Sequence, residues 1–348
     1  MIQSTENKFM KRCLELAEKA QGMTSPNPVV GCVIVHDGVI IGEGFHLKAG
    51  KEHAEVNAIN SVKDKSLLEK STLYVSLEPC SHTGKTPPCA DLIVANRIPE
   101  VVIGTIDTTD KVAGKGILKL KDSGCNVLTG ILEQECRWIN RRFFTYHEKK
   151  RPYIILKWAQ SKDGFIDARR TDESSTPVRI SGDAERVLVH KWRSEAEAIL
   201  VGAETIRADK PGLDVRYWTG KNPIRVILSG SGNLNNYLLQ NKTNSHVILF
   251  SEVERENVKM VRNVILEKSI LACQQVLNYL YKEKIQSVFI EGGAQILNHF
   301  IEYGLWDEAR VFTGRGELDT GVKAPSVKGK AISGTEFERS VLNIILNE

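Results

Sequence analysis

The sequence has no long uninterrupted hydrophobic run, no strong excess of one charge, no internal repeat and no low-complexity tract. Without an apolar run of membrane-spanning length, a bilayer span is not expected. The N-terminal stretch MIQSTENKFMKRCLELAEKA places Glu and Lys among its apolar residues, which indicates an amphipathic helix and not a signal peptide. A net charge of +4 over 348 residues gives no general case for binding nucleic acid. These absences predict a cytoplasmic globular protein with neither a membrane nor a nucleic-acid partner.

Cysteine is sparse, with seven residues in 348, and the odd number argues against a framework of disulfides. Four cysteines stand in apolar segments and are predicted to be small buried side chains: Cys13, Cys32, Cys136 and Cys273. Cys80 and Cys89 differ, because each directly follows a proline in the polar stretch SLEPCSHTGKTPPC. This pair needs another explanation.

The length predicts two domains, because 348 residues exceed what a single core usually supports. The first half alternates helical and strand periods, with a helix over 8–20, a hairpin over 28–45, a helix over 53–62 and strands over 71–78 and 99–107. A charged break near 146–152 precedes a second alternating pattern. Its predicted strands cover 153–159, 198–203, 224–229, 246–250 and 287–293, and its predicted helices cover 183–193, 271–282 and 294–303.

Strands that alternate with helices predict a layered α/β class for both halves. The sequence therefore divides into one α/β domain over residues 1–147 and another over residues 151–348. Residues 229–245, rich in Gly, Ser and Asn, are predicted to be a loop, and the apolar C-terminal stretch SVLNIILNE is predicted to be a last strand.

Three candidate metal ligands stand in the first half, His53, Cys80 and Cys89, and Glu55 follows His53 by two residues. Zinc prefers thiolate and imidazole, and catalytic sites keep three protein ligands and one position for water. Bound zinc lowers the pKa of that water, and a neighbouring carboxylate such as Glu55 can take and return the proton. The pattern matches the signature of zinc nucleobase deaminases, except that nine positions separate the cysteines instead of three. It favours a catalytic zinc site, with residues 81–88 against it as a substrate-recognition flap.

Two other interpretations of the cysteine pair stay open. His82 is available as a fourth ligand of a closed structural zinc site, although Glu55 would then have no task beside His53. A redox pair of Cys80 and Cys89 is the less favoured alternative.

The second half says less by itself. Gly292 and Gly293 join a strand to a helix, which allows backbone amides to approach a phosphate. A tight strand–helix turn is the more economical interpretation of two such glycines. The stretch ETIRADKPGLDVR, taken alone, is a solvated loop.

The stretches SPNPVVGCVIV, GEGFHLKAGKEHAE and HAEVNAI…YVSLEPCSHTGKTPPCADLI together resemble the N-terminal half of the bifunctional riboflavin-biosynthesis deaminase–reductase family. Its reductase half is similar to three later stretches: RPYIILKWAQSKDG, ISGDAERVLVHKWRSEAEAILVGAETIRADKPGLDVR and FIEGGAQILNHFIEYGLWDEARVF. The resemblance covers nearly the whole chain. It implies a cytidine-deaminase-like three-layer domain followed by a dihydrofolate-reductase-like domain, with zinc in the first and NADPH in the second. It further implies a small-molecule phosphoribosyl pyrimidine substrate and a homo-oligomer.

In the first domain, the resemblance implies that the three ligands named above bind zinc and that Glu55 is the proton shuttle. It also implies that three polar side chains line the pyrimidine pocket: Asn27, His46 and His82. Without the resemblance, Asn27 would be interpreted as a turn residue and His46 as a surface group of a loop. Lys85 stands where the family usually has arginine, which keeps the charge but loses the bidentate fork.

In the second domain, the resemblance implies that Asp209 is the catalytic carboxylate. The implied substrate contacts are Arg193, Leu213, Arg216 and Glu291. The implied NADPH contacts are Ala159, Thr205, Asp209, Gly293 and Ala294. The implied reaction delivers a hydride to the ribose carbon attached to nitrogen and opens the sugar to a ribityl chain, while a carboxylate stabilises the developing iminium charge or relays a proton. Four positions near the implied nicotinamide contacts depart from the family pattern: Lys162, Arg179, Lys210 and Ser229.

The function implied is hydrolytic deamination of 2,5-diamino-6-(5-phosphoribosylamino)pyrimidin-4-one, followed by NADPH-dependent reduction of the ribose. One alternative is a polynucleotide or nucleoside deaminase with an accessory domain, which would share the zinc residues. A polynucleotide enzyme needs a basic track interleaved with aromatic residues, and the sequence has none. Another alternative is a zinc-stabilised scaffold that only binds partners, in which Glu55 would have no chemical role.

Overall fold

The computed structural model describes residues 2–82, 87–109, 112–169, 177–231, 234, 246–254 and 260–347. The chain forms two compact units, Met1–Lys150 and Arg151–Glu348. Among the described residues, no helix is both long and apolar enough to cross a membrane.

The first unit is built on a five-stranded sheet. The strands are β1 (Gly31–His36), β2 (Val39–Phe45), β3 (Thr72–Leu77), β4 (Glu100–Thr105) and β5 (Asn126–Thr129). Their order in the sheet is β2-β1-β3-β4-β5. Strand β1 runs antiparallel to β2 and β3, whereas β3, β4 and β5 are parallel. The helices are α1 (Ile2–Glu18), α2 (Ala54–Ser61), α3 (Cys89–Ala95), α4 (Lys115–Asp122), α5 (Glu133–Ile139) and α6 (Arg141–Lys149), and a short 3₁₀ helix covers Lys65–Lys70.

Both faces of this sheet are covered, which gives three layers. On one face, Ala58 of α2, Ile93 of α3 and Leu120 of α4 share a core cluster with the strands. On the other face, a second cluster contains Met10 of α1 and Cys136 of α5. Because α2 and α3 pack on the same face, their N-terminal ends can meet beyond the end of β3.

The second unit contains a nine-stranded sheet. Its strands are β6 (Tyr153–Gln160), β8 (Ala198–Gly202), β9 (Ile224–Ser229), β10 (Val247–Ser251), β11 (Val261–Ile265), β12 (Ser287–Ile290), β13 (Glu308–Gly314), β15 (Lys330–Glu336) and β16 (Ser340–Leu346). Their order in the sheet is β11-β10-β9-β8-β12-β6-β13-β16-β15. The strands from β11 to β13 in this order are parallel, and β16 and β15 continue the sheet antiparallel. A separate antiparallel pair joins β7 (Phe165–Asp167) to β14 (Val322–Lys323).

Helices cover both faces of this sheet as well. One face packs against α7 (Asp183–Glu195) and α8 (Ala203–Asp209), through residues such as Trp192 and Ile206. The opposite face packs against α9 (Ala272–Lys282) and α10 (Ala294–Glu302), through residues such as Leu280 and Phe300. Parallel strands end at a common edge, so the residues that follow β6, β8, β9 and β12 are brought to one side of the sheet.

Every strand and helix that the sequence predicts is present in the structure, which adds further helices at Cys89–Ala95, Lys115–Asp122, Glu133–Ile139, Arg141–Lys149 and Ala203–Asp209. The hairpin turns at Asp37 and Gly38, whose φ angles of 46° and 75° are both positive, as a two-residue turn of this kind requires. The last strand is confirmed as β16. The four cysteines predicted to be buried are completely so. Of the predicted loop at 229–245, residues 232, 233 and 235–245 lie outside the described residues.

Strand β13, which pairs with both β6 and β16, was not predicted from the sequence. Charged residues hide its apolar pattern, because Glu308 and Arg310 alternate with Ala309 and Val311. In the fold, Arg310 Nε donates to Glu308 Oε1 at 2.6 Å, so both charges are buried as a pair. The boundary between the two units, between Lys150 and Arg151, lies within the predicted break at 146–152, and α6 ends just before it at Lys149.

Candidate functional sites

The three predicted metal ligands come from adjacent structural elements of the first unit. His53 is the N-cap residue of α2, Cys89 is the first residue of α3, and Cys80 lies in the loop that follows β3. Their ligand atoms all lie within 4.8 Å of one another. Among the described residues, these three form the group whose geometry could hold a metal ion.

The spacing of these atoms suits zinc. His53 Nδ1 lies 3.6 Å from Cys80 Sγ and 3.3 Å from Cys89 Sγ. Tetrahedral zinc with ordinary bond lengths holds a nitrogen and a sulfur ligand about 3.5 Å apart. Two sulfurs and one imidazole also match the donors that zinc prefers, and three ligands leave one position for water.

The pKa values of the two thiols are shifted in opposite directions by their neighbours. The pKa of Cys80 is lowered, chiefly by a hydrogen bond from the Cys89 thiol and also by His53. The backbone N–H of Cys89, at the start of α3, donates to Cys80 Sγ at 3.3 Å. The pKa of Cys89 is raised, chiefly because it shares its proton with Cys80. One proton shared between two sulfurs is what a divalent cation would displace.

Glu55 is the second residue of α2 and is buried, with only 3% of its surface exposed. Burial raises the pKa of its carboxyl group to about 7, and the charge of Cys80 adds to the effect. It contacts Cys89 but does not belong to the group of possible ligands. A carboxyl group in this place can exchange protons near neutral pH without being bound to metal.

Asn27 and His46 form a second polar pair beside the ligands. His46 Nδ1 lies 2.9 Å from the carbonyl oxygen of Glu52, so this nitrogen carries the hydrogen and donates it. Nε2 is then the acceptor for the Asn27 amide, 3.0 Å away. The His46 and His53 rings meet edge to face with centroids 5.3 Å apart. The structure therefore brings both pocket residues next to the metal group.

His82 is exposed and is not part of the ligand group. This arrangement argues against the closed structural site in which His82 is the fourth ligand. Lys85 and the centre of the predicted flap, residues 83–86, lie outside the described residues.

Glu78 has a position that the sequence reading did not anticipate. Its carboxylate is buried and accepts hydrogen bonds from four backbone N–H groups, those of Asp107, Gly114, Gly116 and Ile117, at 2.9–3.3 Å. It thereby fixes the end of β3, two residues before Cys80, to the start of α4. The sequence feature that could have indicated this role is an acidic residue between an apolar strand and a Pro-Cys pair.

In the second unit, Arg193 and Glu291 form a bidentate ion pair. Arg193 Nε and Nη2 donate to the two Glu291 oxygens at 2.7 and 2.8 Å, and both side chains are nearly buried. Lys157 of β6 lies close enough that its charge acts on Glu291, and burial lowers the pKa of Lys157. The sequence reading missed Lys157, although a lysine inside the apolar run YIILKWA was the signal.

Leu213 and Arg216 lie on the segment between α8 and β9, which follows Asp209 at the end of α8. Arg193 Nη1 donates to the backbone oxygen of Asp214 at 3.1 Å, which brings this segment to the ion pair. Leu213 is buried and has a positive φ of 49°, which is an uncommon conformation for any residue other than glycine. Asp209 is the last residue of α8 and is exposed.

The glycine turn brings the predicted cofactor residues together. Gly293 N donates to Thr205 Oγ1 at 2.9 Å, and Ala294 begins α10. A Cβ atom on Gly293 would lie 3.3 Å from Thr205 Oγ1, so glycine keeps this N-terminal end of the helix open. An open helix N-terminus beside the carboxyl ends of parallel strands fits a phosphate-bearing cofactor. Ala159 lies near the end of the neighbouring strand β6.

Three of the four departures from the family pattern are at the surface. Lys162 pairs with Glu317 at 3.2 Å, Arg179 pairs with Asp183, and Lys210 has a left-handed conformation just after α8. Ser229 is buried as the last residue of β9.

Comparison with known proteins identifies both units. Residues 3–105 match the model of the cytidine and deoxycytidylate deaminase zinc-binding region, and residues 152–314 match the RibD C-terminal domain. The riboflavin biosynthesis protein RibD of Aquifex aeolicus is 38% identical over 96% of this chain and 90% of its own length.

Two solved structures are similar over almost their whole lengths. One is a diaminohydroxyphosphoribosylaminopyrimidine deaminase/5-amino-6-(5-phosphoribosylamino)uracil reductase from Thermotoga maritima, with 36% identity, a TM-score of 0.90 and full coverage of both chains. The other is Acinetobacter baumannii RibD, with 31% identity, a TM-score of 0.87 and coverage of 99% of each chain.

The two units therefore define a bifunctional enzyme, in which a cytidine-deaminase-like zinc domain precedes a dihydrofolate-reductase-like domain. The chain belongs to the RibD family of riboflavin biosynthesis proteins. Zinc and NADPH are the cofactors of its two activities. The interpretations as a polynucleotide deaminase and as a non-catalytic scaffold are wrong.

Proposed function

We propose that this chain hydrolyses the 2-amino group of 2,5-diamino-6-(5-phosphoribosylamino)pyrimidin-4-one and then reduces the ribose of the product with NADPH. The deaminase is assigned to residues 1–147 and the reductase to residues 151–348. The division of the compact units between Lys150 and Arg151 and the positions of the two family matches support this assignment. The observation that carries the proposal is the group of His53, Cys80 and Cys89 with the buried Glu55 beside it.

In the deaminase, His53, Cys80 and Cys89 would hold the zinc. When bound, zinc would lower the pKa of a water molecule and so supply hydroxide as the nucleophile near neutral pH. Glu55 takes a proton from the attacking water and returns it to the amino group, which leaves as ammonia. Its burial keeps bulk water from competing for that proton.

Asn27, His46 and His82 are assigned to the substrate. Because the Asn27 amide donates one hydrogen to His46, its orientation is fixed, and its oxygen is directed by the same bond. A fixed amide can distinguish the donors and acceptors at the edge of a pyrimidine. His82, which is exposed in the loop between Cys80 and Cys89, is assigned to the same pyrimidine pocket.

In the reductase, Arg193, Leu213, Arg216 and Glu291 are assigned to the substrate. Ala159, Thr205, Asp209, Gly293 and Ala294 are assigned to NADPH. NADPH supplies a hydride, and the ribose carbon attached to nitrogen receives it. Asp209 is assigned to the developing positive charge at that carbon or to the accompanying proton transfer. The bidentate pair of Arg193 and Glu291 orients the substrate side of the site.

We further propose that the enzyme is a cytoplasmic homo-oligomer. All seven cysteines are free, as expected where thiols stay reduced. In the second unit, β15 is exposed along its whole length, and an exposed strand is a surface on which a second copy can pair. Sedimentation equilibrium of the purified chain tests the oligomer, and a monomer at all concentrations would contradict it.

The test of the function combines metal analysis with NADPH oxidation. We expect the purified chain to contain one zinc and to oxidise NADPH when given the diaminopyrimidinone substrate. Cys80→Ser should lose the zinc and this oxidation, and the deaminated intermediate should restore oxidation in full. A variant that loses zinc and still oxidises NADPH from the diaminopyrimidinone would refute the zinc assignment. No oxidation from the deaminated intermediate would refute the reductase assignment.

A further inference from the structure

His190 belongs to no predicted site, yet it lies among the residues assigned to substrate in the second unit. It occupies the buried face of α7, with 3% of its surface exposed, three residues before Arg193. Residues three apart on a helix are neighbours on one face. His190 and Arg193 therefore both contact the segment that packs against this face of α7.

That part is segment 212–216, which includes the substrate residues Leu213 and Arg216. The backbone N–H of Arg216 donates to His190 Nδ1 at 3.0 Å. Two arginines bind the same segment through its carbonyl oxygens, Arg193 at Asp214 and Arg225 Nη2 at Gly212, at 3.1 and 2.6 Å. Side chains hold this segment by its backbone, and the Arg216 side chain pairs with Asp214 at 3.2 Å while 56% of its surface stays exposed for further contacts.

The direction of the histidine bond fixes its protonation state. A backbone N–H is always a donor, so His190 Nδ1 must be an acceptor and the hydrogen must be on Nε2. A protonated imidazole carries hydrogens on both nitrogens and would oppose the Arg216 N–H. The contact therefore exists only with a neutral ring. The Tyr217 ring meets His190 edge to face, with centroids 4.9 Å apart, and orients the imidazole.

We propose that His190 is a positioning residue of the reductase, which places Arg216 for substrate through a bond that only the neutral imidazole can make. This inference rests on the proposed role of Arg216 in binding the substrate. It makes substrate affinity in the reductase sensitive to acid, through the backbone and not through contact between His190 and substrate.

The surroundings set the pH at which the bond is lost. Burial lowers the pKa of His190 below its ordinary value of 6.5, and the neighbouring charges of Arg193 and Arg216 lower it further, whereas Glu291 and Asp214 act in the opposite direction. Because the neutral form is favoured, the bond is intact at pH 7 and is lost as the pH falls through the lowered pKa, below 6.5.

Two variants of the full-length enzyme separate the hydrogen bond from the packing. His190→Phe keeps a ring against Tyr217 but has no acceptor, and His190→Asn places an amide oxygen near the position of Nδ1 and cannot be protonated. At pH 7.5 we expect His190→Phe to raise KM for the deaminated intermediate about fivefold, the usual effect of one hydrogen bond. KM for NADPH should not change, and His190→Asn should stay within about twofold of the original enzyme.

The pH profile supplies a readout that a merely structural residue would not move. The substrate phosphate also titrates near pH 6, but equally for both enzymes. Below pH 6.5, KM of the original enzyme should therefore rise relative to that of His190→Asn. Parallel profiles, or an unchanged KM in His190→Phe, would overturn the proposal.

Hydrogen exchange at the Arg216 amide tests the bond without activity. Exchange should be faster in His190→Phe than in the original enzyme and should be slow in His190→Asn. Equal exchange in all three proteins would overturn the inference. Arg216→Met tests the proposed function separately, because an unchanged KM there removes Arg216 from the substrate site whatever the exchange at its amide shows.

Discussion

The two sites of this enzyme are built in different ways. The zinc site takes its three ligands and its buried carboxylate from a stretch of 37 residues, between His53 and Cys89. The reductase site draws on side chains from β6 to α10, and most of its contacts are made by one ion pair and by backbone groups.

This difference explains why the two sites are unequally visible in the sequence. A metal needs particular donor atoms, so few residue types can replace a ligand. A cofactor phosphate or a substrate hydroxyl can be bound by backbone amides, which any residue supplies. We expect single substitutions to abolish the first activity and to weaken the second by degrees.

The largest effect is expected from Glu55→Gln. The amide cannot carry the proton, so deamination should fall about 1000-fold, while zinc and the reductase activity stay unchanged. Ammonia release and metal analysis measure the two properties, and Glu52→Gln, an exposed neighbour, is the matched control. Deamination at the original rate would remove Glu55 from the mechanism.

Glu291→Gln should have the next largest effect, because it leaves the nearly buried Arg193 with a neutral partner. Loss of one partner of a buried pair costs about 3 kcal/mol of folding free energy. Calorimetry of the full chain should show an earlier transition and reductase activity should fall, with deamination retained. Glu204→Gln breaks an exposed pair with Arg207 and should change stability by less than about 1 kcal/mol. Equal effects of the two variants would show that the buried pair has no special role.

Glu78→Gln tests whether the zinc site depends on residues that are not ligands. The new amide would place a donor against backbone N–H groups that now donate to Glu78. We expect zinc affinity to fall about tenfold, as is usual for residues that orient ligands. Competition with a chelator measures this, and Glu69→Gln, at an exposed pair with Arg97, is the control. Unchanged affinity would confine the site to its ligands.

The smallest effect is expected from Gly293→Ala. The backbone tolerates alanine at φ −60°, but the added methyl group would narrow the opening beside Thr205. We expect KM for NADPH to rise about threefold, with no change in deamination. Gly316→Ala, where nothing lies within 4 Å of an added Cβ, should leave KM unchanged. A tenfold rise in KM for NADPH would mean that the glycine turn contributes more to cofactor binding than the close approach of its backbone alone.

The sequence predicted the α/β class, most of the strands and the residues of the metal group. It did so because strand periods, the Asp37-Gly38 turn and the ligand types are local properties. It did not predict β13, because charged residues such as Glu308 and Arg310 indicate an exposed segment. Their burial as an ion pair is seen only in the folded chain. The roles assigned to Asp209 and to the substrate residues stay predictions.

Lys157, His190 and Glu78 were missed for a related reason. Each is a polar residue whose role depends on which backbone or charge lies opposite, and those partners are 26 to 134 residues away in the chain. By itself the sequence determined the donors of the metal site and the order of the elements, because both depend on residue type and period. Only the tertiary structure decided which N–H groups, carbonyls and charges those side chains meet, because burial gives a polar atom a partner that no local pattern specifies.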